Sequence, residues 1–120
     1  MAKTILVVED SATELALIKN ALQSKNYNLI IAGDGDEAIN RATKDNPDLI
    51  LLDVVLPKKN GFQVCRQLKT NAQTKSIKII MLTSKDQESD KFWGMKQGAD
   101  EYLTKPFKSD ELLKTIAKFV

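Results

Sequence analysis

The sequence predicts an α/β fold: a doubly wound parallel sheet of five strands with five helices. Three observations predict it. Short apolar runs alternate with amphipathic stretches, the pattern of repeated strand–helix units. Asn, Asp, Gly and Pro punctuate the joins. Three carboxylates, Glu9, Asp10 and Asp53, follow the apolar runs of ILVVED and LILLD. Sites in open α/β sheets lie beyond the carboxyl ends of the strands, so these acids belong to one pocket.

The first strand is Thr4–Val8. Ser11 opens the first helix, and Glu14, three residues on, completes a predicted capping box. Leu15, Ile18 and Leu22 give that helix one apolar face. Tyr27–Ala32 is the second strand, ended by Gly33-Asp34-Gly35. A short helix over Asp36–Asp45 turns Ala38, Ile39 and Ala42 inward. Pro47 marks the turn into the third strand, Leu49–Leu52, and the loop Val54–Asn60 follows. Asn60 caps a third helix whose core residues are Phe62, Val64, Cys65 and Leu68. Ile77–Leu82 is the fourth strand. The fourth helix runs over Gln87–Gln97 and stops at Gly98. Glu101–Thr104 is the fifth strand. Ser109 caps the last helix, with Leu112, Leu113 and Ile116 facing inward.

Under the strand order 2-1-3-4-5, taken from other doubly wound sheets, the first and third strands would lie side by side. That order would bring Glu9 and Asp10 next to Asp53, with Thr83 and Lys105 on the same edge. At about 4 Å and an effective dielectric of about 20, each like-charged pair costs roughly 4 kcal/mol. A hard divalent cation bound by oxygen ligands would offset that cost.

The chain has 120 residues, enough for one domain, and is 42% hydrophobic and 28% charged. Its net charge of +2, from 18 basic and 16 acidic residues, gives no strong attraction to nucleic acid or membrane. The single cysteine, Cys65, forms no internal disulfide and reads as a small apolar residue. The absence of histidine excludes a Ser-His-Asp triad, a Cys-His pair and histidine metal sites. No apolar stretch approaches the ~20 residues that span a bilayer, and the amino terminus carries no secretory signature. A reducing cytoplasm is the expected compartment.

Glu9-Asp10 after ILVV, Asp53 in LLDVVLPKKNG, Thr83-Ser84 in MLTSK and Lys105-Pro106 in YLTKPF occur in one order at strand ends. In this the chain resembles a bacterial response-regulator receiver domain, of the stand-alone CheY-like type, over essentially its whole length. The resemblance implies one flavodoxin-like receiver domain over residues 1–120. It also implies a signalling protein and not an enzyme, one that assists its own phosphorylation and slow autodephosphorylation.

Asp53 then corresponds to the phosphoacceptor. Glu9 and Asp10 correspond to the metal-binding acids. Asp10, Asp53 and the backbone carbonyl of Val55 would bind Mg²⁺ directly, and Glu9 through water. Lys105, Thr83 and Ser84 would stabilise the phosphoryl oxygens, and a cis bond before Pro106 would aim Lys105 into the cleft. Thr83 and Tyr102 would form the switch: when Thr83 turns to the phosphoryl group, Tyr102 rotates inward. Val55 and Lys85, two residues beyond Asp53 and Thr83, imply slow self-hydrolysis.

The output face implied is the fourth helix, fifth strand and fifth helix, carrying Trp93 and Tyr102. Phe92, Trp93 and Met95 span more than one helical face, so one of them, Trp93, is expected to be partly exposed and to anchor a partner. The implied partners are a histidine kinase or histidine phosphotransfer protein and a downstream protein target. A monomer is expected, with dimerisation on phosphorylation left open. The stretch FWGMKQGAD looks like single-domain regulators of pilus motility, so motility or taxis is the expected setting. A phosphorelay shuttle or phosphate sink without its own output is the alternative. An FMN-binding electron carrier of the same architecture is the remote one. The acids after the first strand oppose it, because they repel phosphate where such a carrier needs a Gly-, Ser- and Thr-rich loop.

Overall fold

The computed structural model describes residues 2–120. Strands β1 (Thr4–Val8), β2 (Asn28–Ala32), β3 (Leu49–Leu52), β4 (Lys78–Thr83) and β5 (Glu101–Thr104) form one parallel sheet in the order β2-β1-β3-β4-β5. Helices α1 (Ala12–Leu22), α2 (Gly35–Asp45), α3 (Gly61–Thr70), α4 (Glu88–Lys96) and α5 (Ser109–Ala117) connect and follow them. Among the described residues no helix is long and apolar enough to cross a membrane.

Alternate strand residues point to opposite faces, and each face carries its own core. Ile5, Val7, Leu49, Leu51, Ile80, Leu82 and Leu103 pack against α1 and α5 through Ile18, Leu22, Leu112 and Ile116. Leu6, Val8, Ile50, Leu52, Ile79 and Met81 pack against α2 and α3 through Ala38, Ala42, Val64, Cys65 and Leu68. A sheet buried on both sides needs continuous apolar strands, which is why LILL and IIML carry no polar residue.

Local chemistry sets the helix ends. Asp34 accepts from the Glu37 amide and caps α2. Asn60 and Gln63 form a capping box on α3. The box predicted for α1 is half formed. Ser11 Oγ accepts from the Glu14 amide at 3.3 Å, but the Ser11 amide donates to Glu9 Oε1 at 3.2 Å instead of to Glu14. The cap predicted at Ser109 is also corrected. The N-cap is Lys108, without a side-chain bond, and Ser109 is the first helical residue, so α5 begins one residue early. Element ends shift by one or two residues elsewhere: β2 begins at Asn28, α2 at Gly35, and β4 spans Lys78–Thr83.

An ion-paired strut lies under β4 and β5. Asp100 Oδ2 accepts from the Ile79 amide at 2.8 Å and from Lys69 Nζ at 2.9 Å. Lys69 Nζ also donates to the Ile77 carbonyl at 2.8 Å. The stem of Lys69 lies against Gly98, whose φ of 105° suits glycine alone.

Candidate functional site

The backbone places the functional residues before any side chain acts. Strand register pairs Val8 with both Ala32 and Leu52, Leu52 with Met81, and Thr83 with Thr104. The residue after each end stays tied to its neighbour. The Glu9 amide donates to the Ala32 carbonyl at 3.0 Å, Asp53 to Val8 at 3.1 Å, and Lys105 to Thr83 at 2.8 Å.

Side-chain parity then sorts the site into two halves. Glu9 follows Ile5 and Val7, Asp53 follows Leu49 and Leu51, and Lys105 follows Leu103, all on the α1–α5 face. Lys105 Nζ lies 2.6 Å from Glu9 Oε2 and 3.2 Å from Asp53 Oδ2. Thr83 follows Met81, and Tyr102 packs on the same face of the sheet. Thr83 Oγ1 accepts from the Lys85 amide at 3.4 Å, and the Tyr102 hydroxyl donates to the Lys85 carbonyl at 2.7 Å. The two switch candidates thus meet at the N–H and C=O of one residue.

Glu9 and Asp53 are buried. Burial raises the Glu9 pKa above its usual value; the Lys105 hydrogen bond counteracts this in part, and the Asp53 charge adds to it. Burial alone would lower the Lys105 pKa. The hydrogen bond to Glu9 and the charge of Asp53 outweigh it, and the ammonium is held above its ordinary range. Asp53 Oδ1 accepts from the Val55 amide at 3.1 Å.

The resemblance implies that Asp10 binds the ion directly and Glu9 through water. Here Glu9 is buried and nearest the amine, whereas Asp10 is exposed. Parity turns Asp10 away from Lys105, and its place two residues past the end of β1 leaves it exposed, since both faces of the strand itself are covered. Ser84 is exposed and lines a cleft of ≈ 350 Å³ with Glu14, Leu17, Lys105 and Phe107. The Lys105–Pro106 peptide is cis.

The acids carry more negative charge than one ammonium balances, and all are hard oxygen donors, the chemistry that suits Mg²⁺. Among the described residues no group of three His, Cys, Asp or Glu is placed to hold a metal ion, so the fit is one of donor type and charge.

Trp93 is partly exposed, as expected, and its large neighbours on α4 share that exposure: Phe92 stands at 66%, Trp93 at 49% and Met95 at 45%. The cause is Gly94, the only buried residue of α4, which seats the helix on Met81 and Tyr102 without a side chain of its own. Trp93 lines a groove with Phe62 and Arg66 of α3.

One residue at the site was missed from sequence. Glu14 Oε2 lies 3.5 Å from Lys105 Nζ. The signal was available, because Glu14 is four residues before buried Ile18 and so continues the inward stripe of α1.

Comparison with known proteins agrees with this arrangement. The chain matches the family model of the response regulator receiver domain over residues 5–117. It is 45% identical over 112 residues to Protein PilH of Pseudomonas aeruginosa, covering 93% of each chain. The structure of Vibrio cholerae chemotaxis protein CheY4 superposes with a TM-score of 0.91 at 32% identity, covering 100% of both chains. The receiver domain of sensor histidine kinase PA1611 from Pseudomonas aeruginosa, solved with a magnesium ion coordinated in its active site cleft, gives 0.91 at 29% identity, covering 99% of this chain and 98% of that one.

Proposed function

The chain belongs to the response regulator receiver domain family, and on that premise we propose that Asp53 accepts a phosphoryl group in an Mg²⁺-dependent transfer. The observation that carries this reading is the convergence of buried Asp53 and Glu9 on Lys105 at a single sheet edge. A carboxylate is a competent nucleophile once its charge is screened.

The donor is a phosphohistidine of a histidine kinase or phosphotransfer protein. An Asp53 oxygen forms a bond to phosphorus as the P–N bond breaks, and the electron pair leaves on the imidazole. Lys105 Nζ, the Thr83 hydroxyl and the Ser84 amide donate to the phosphoryl oxygens as charge develops there. Glu9, Asp10, Asp53 and the Val55 carbonyl would hold Mg²⁺, which when bound neutralises the charge shared by Asp53 and the phosphoryl oxygens. The ion in the PA1611 receiver supports that assignment.

Turning Thr83 toward the phosphoryl group withdraws its acceptor from the Lys85 amide and loosens the residue that also holds Tyr102. Phosphorylation thereby shifts the balance between two states of the β4–α4 region. A downstream protein reads the state on the α4–β5–α5 surface, where Phe92 and Met95 are exposed. Likeness to a chemotaxis protein supports an output in motility or taxis, and the lone free cysteine suits a reducing cytoplasm.

Acetyl phosphate with Mg²⁺ should add one phosphoryl group to the protein, read by intact mass. Equal labelling of Asp53→Asn overturns the assignment.

A further inference from the structure

The ammonium of Lys105 has three carboxylate neighbours, not two. Glu9 and Asp53 belong to strand ends, and the third, Glu14, is on the first turn of α1. The position of Glu14 follows from a substitution within the cap of α1. The Ser11 amide, which Glu14 would accept in a capping box, is taken by Glu9 Oε1. The Glu14 carboxylate is therefore free to turn toward the cleft it lines with Lys105 and Ser84. Only its backbone amide serves the cap, donating to Ser11 Oγ.

We propose that Glu14 is a positioning residue that restrains the Lys105 ammonium and so slows phosphoryl transfer to Asp53. This rests on Asp53 being the phosphoacceptor. With acetyl phosphate the Asp53 oxygen bonds to phosphorus, the P–O bond to the acetyl group breaks, and acetate leaves with the electron pair. Lys105 must bring its N–H donors onto the phosphoryl oxygens during that step. A carboxylate already paired to the ammonium at 3.5 Å must give it up for that movement and so opposes it. Glu14 acts as a brake in the transition state and contributes little to the fold. Its side chain is 38% exposed, and a partly exposed pair of this kind alters a rate by about threefold.

The test measures labelling by acetyl phosphate at saturating Mg²⁺ for the parent chain, Glu14→Gln and Glu14→Asp. Glutamine removes the charge at equal size. Aspartate keeps the charge but its shorter side chain withdraws it from Lys105. Both variants should label about threefold faster in maximal rate, with the half-saturating acetyl phosphate concentration and the melting temperature unchanged. An unchanged rate, a gain in Glu14→Gln alone, a gain in half-saturation instead of maximal rate, or a lowered melting temperature overturns the proposal. Asp53→Asn is run alongside. If it labels like the parent, the acceptor assignment fails, and that failure is separate from any result at Glu14.

Discussion

The ring of Tyr102 occupies the space that a side chain on Gly94 would need. A Cβ built there meets Tyr102 Cδ2 at 2.9 Å and Met81 Sδ at 2.8 Å. A mid-helix glycine costs about 1 kcal/mol relative to alanine, so its presence in α4 marks a close approach and not a local preference. Gly94 is what lets Tyr102 lie flat under α4 with its hydroxyl on the Lys85 carbonyl.

Gly94→Ala should therefore lose stability despite its better helix propensity. The propensity gain of about 1 kcal/mol is opposed by overpacking of about 1–3 kcal/mol, for a net loss of about 1 kcal/mol. Tyr102 ring resonances should move, and the bond to Lys85 should weaken. Urea denaturation and ring NMR check this. A stabilised variant with unmoved Tyr102 signals would refute the packing account.

Lys105→Met leaves Glu9 and Asp53 buried without their cation. Breaking such a cluster from one side costs roughly 3 kcal/mol, and this should appear in magnesium-free buffer. Added Mg²⁺ should restore more stability to the variant than to the parent, since the cation replaces a missing charge. Thermal melts with and without the ion measure both. Equal response of the two proteins would separate the amine from the metal site.

Cys65 lies on the buried face of α3 with no exposed surface, its thiol donating to the Gln97 carbonyl at 3.6 Å. Burial pushes its pKa from the ordinary 9.0 up to about 12, with Lys69 working against the rise and Asp100 adding to it. The folded state thus holds the proton more tightly than the unfolded chain. The stability so contributed is complete below pH 9.0 and is lost as pH rises toward about 12. Alkylation at neutral pH requires thiolate and access, so iodoacetamide should label Cys65 only in denaturant. Rapid labelling of the native protein, seen by mass, would contradict this environment.

Much of the architecture was legible along the chain. The alternation of apolar runs and amphipathic stretches marks five strands and five helices, because a sheet covered on both faces needs continuous apolar strands. Asn60 and Asp34 also act locally, since a cap involves only residues within one turn. Ser109 misled for the same reason in reverse. Serine is a good cap, but extended Lys108 takes the N-cap position and Ser109 opens the helix.

The residues at the carboxyl edge, Glu9, Asp10, Asp53, Thr83 and Lys105, were named from their places after apolar runs. What the sequence by itself determined was that these residues follow strand ends on one edge of the sheet, because a parallel sheet aligns its strand ends. Tertiary structure decided the pairings among them. Strand parity turned Glu9 and not Asp10 onto Lys105, the Ser11 amide chose Glu9 over Glu14, and the bare face of Gly94 turned three large side chains of α4 to the surface. These depend on which side chain reaches a shared partner first in three dimensions, a competition between segments that the linear order does not record.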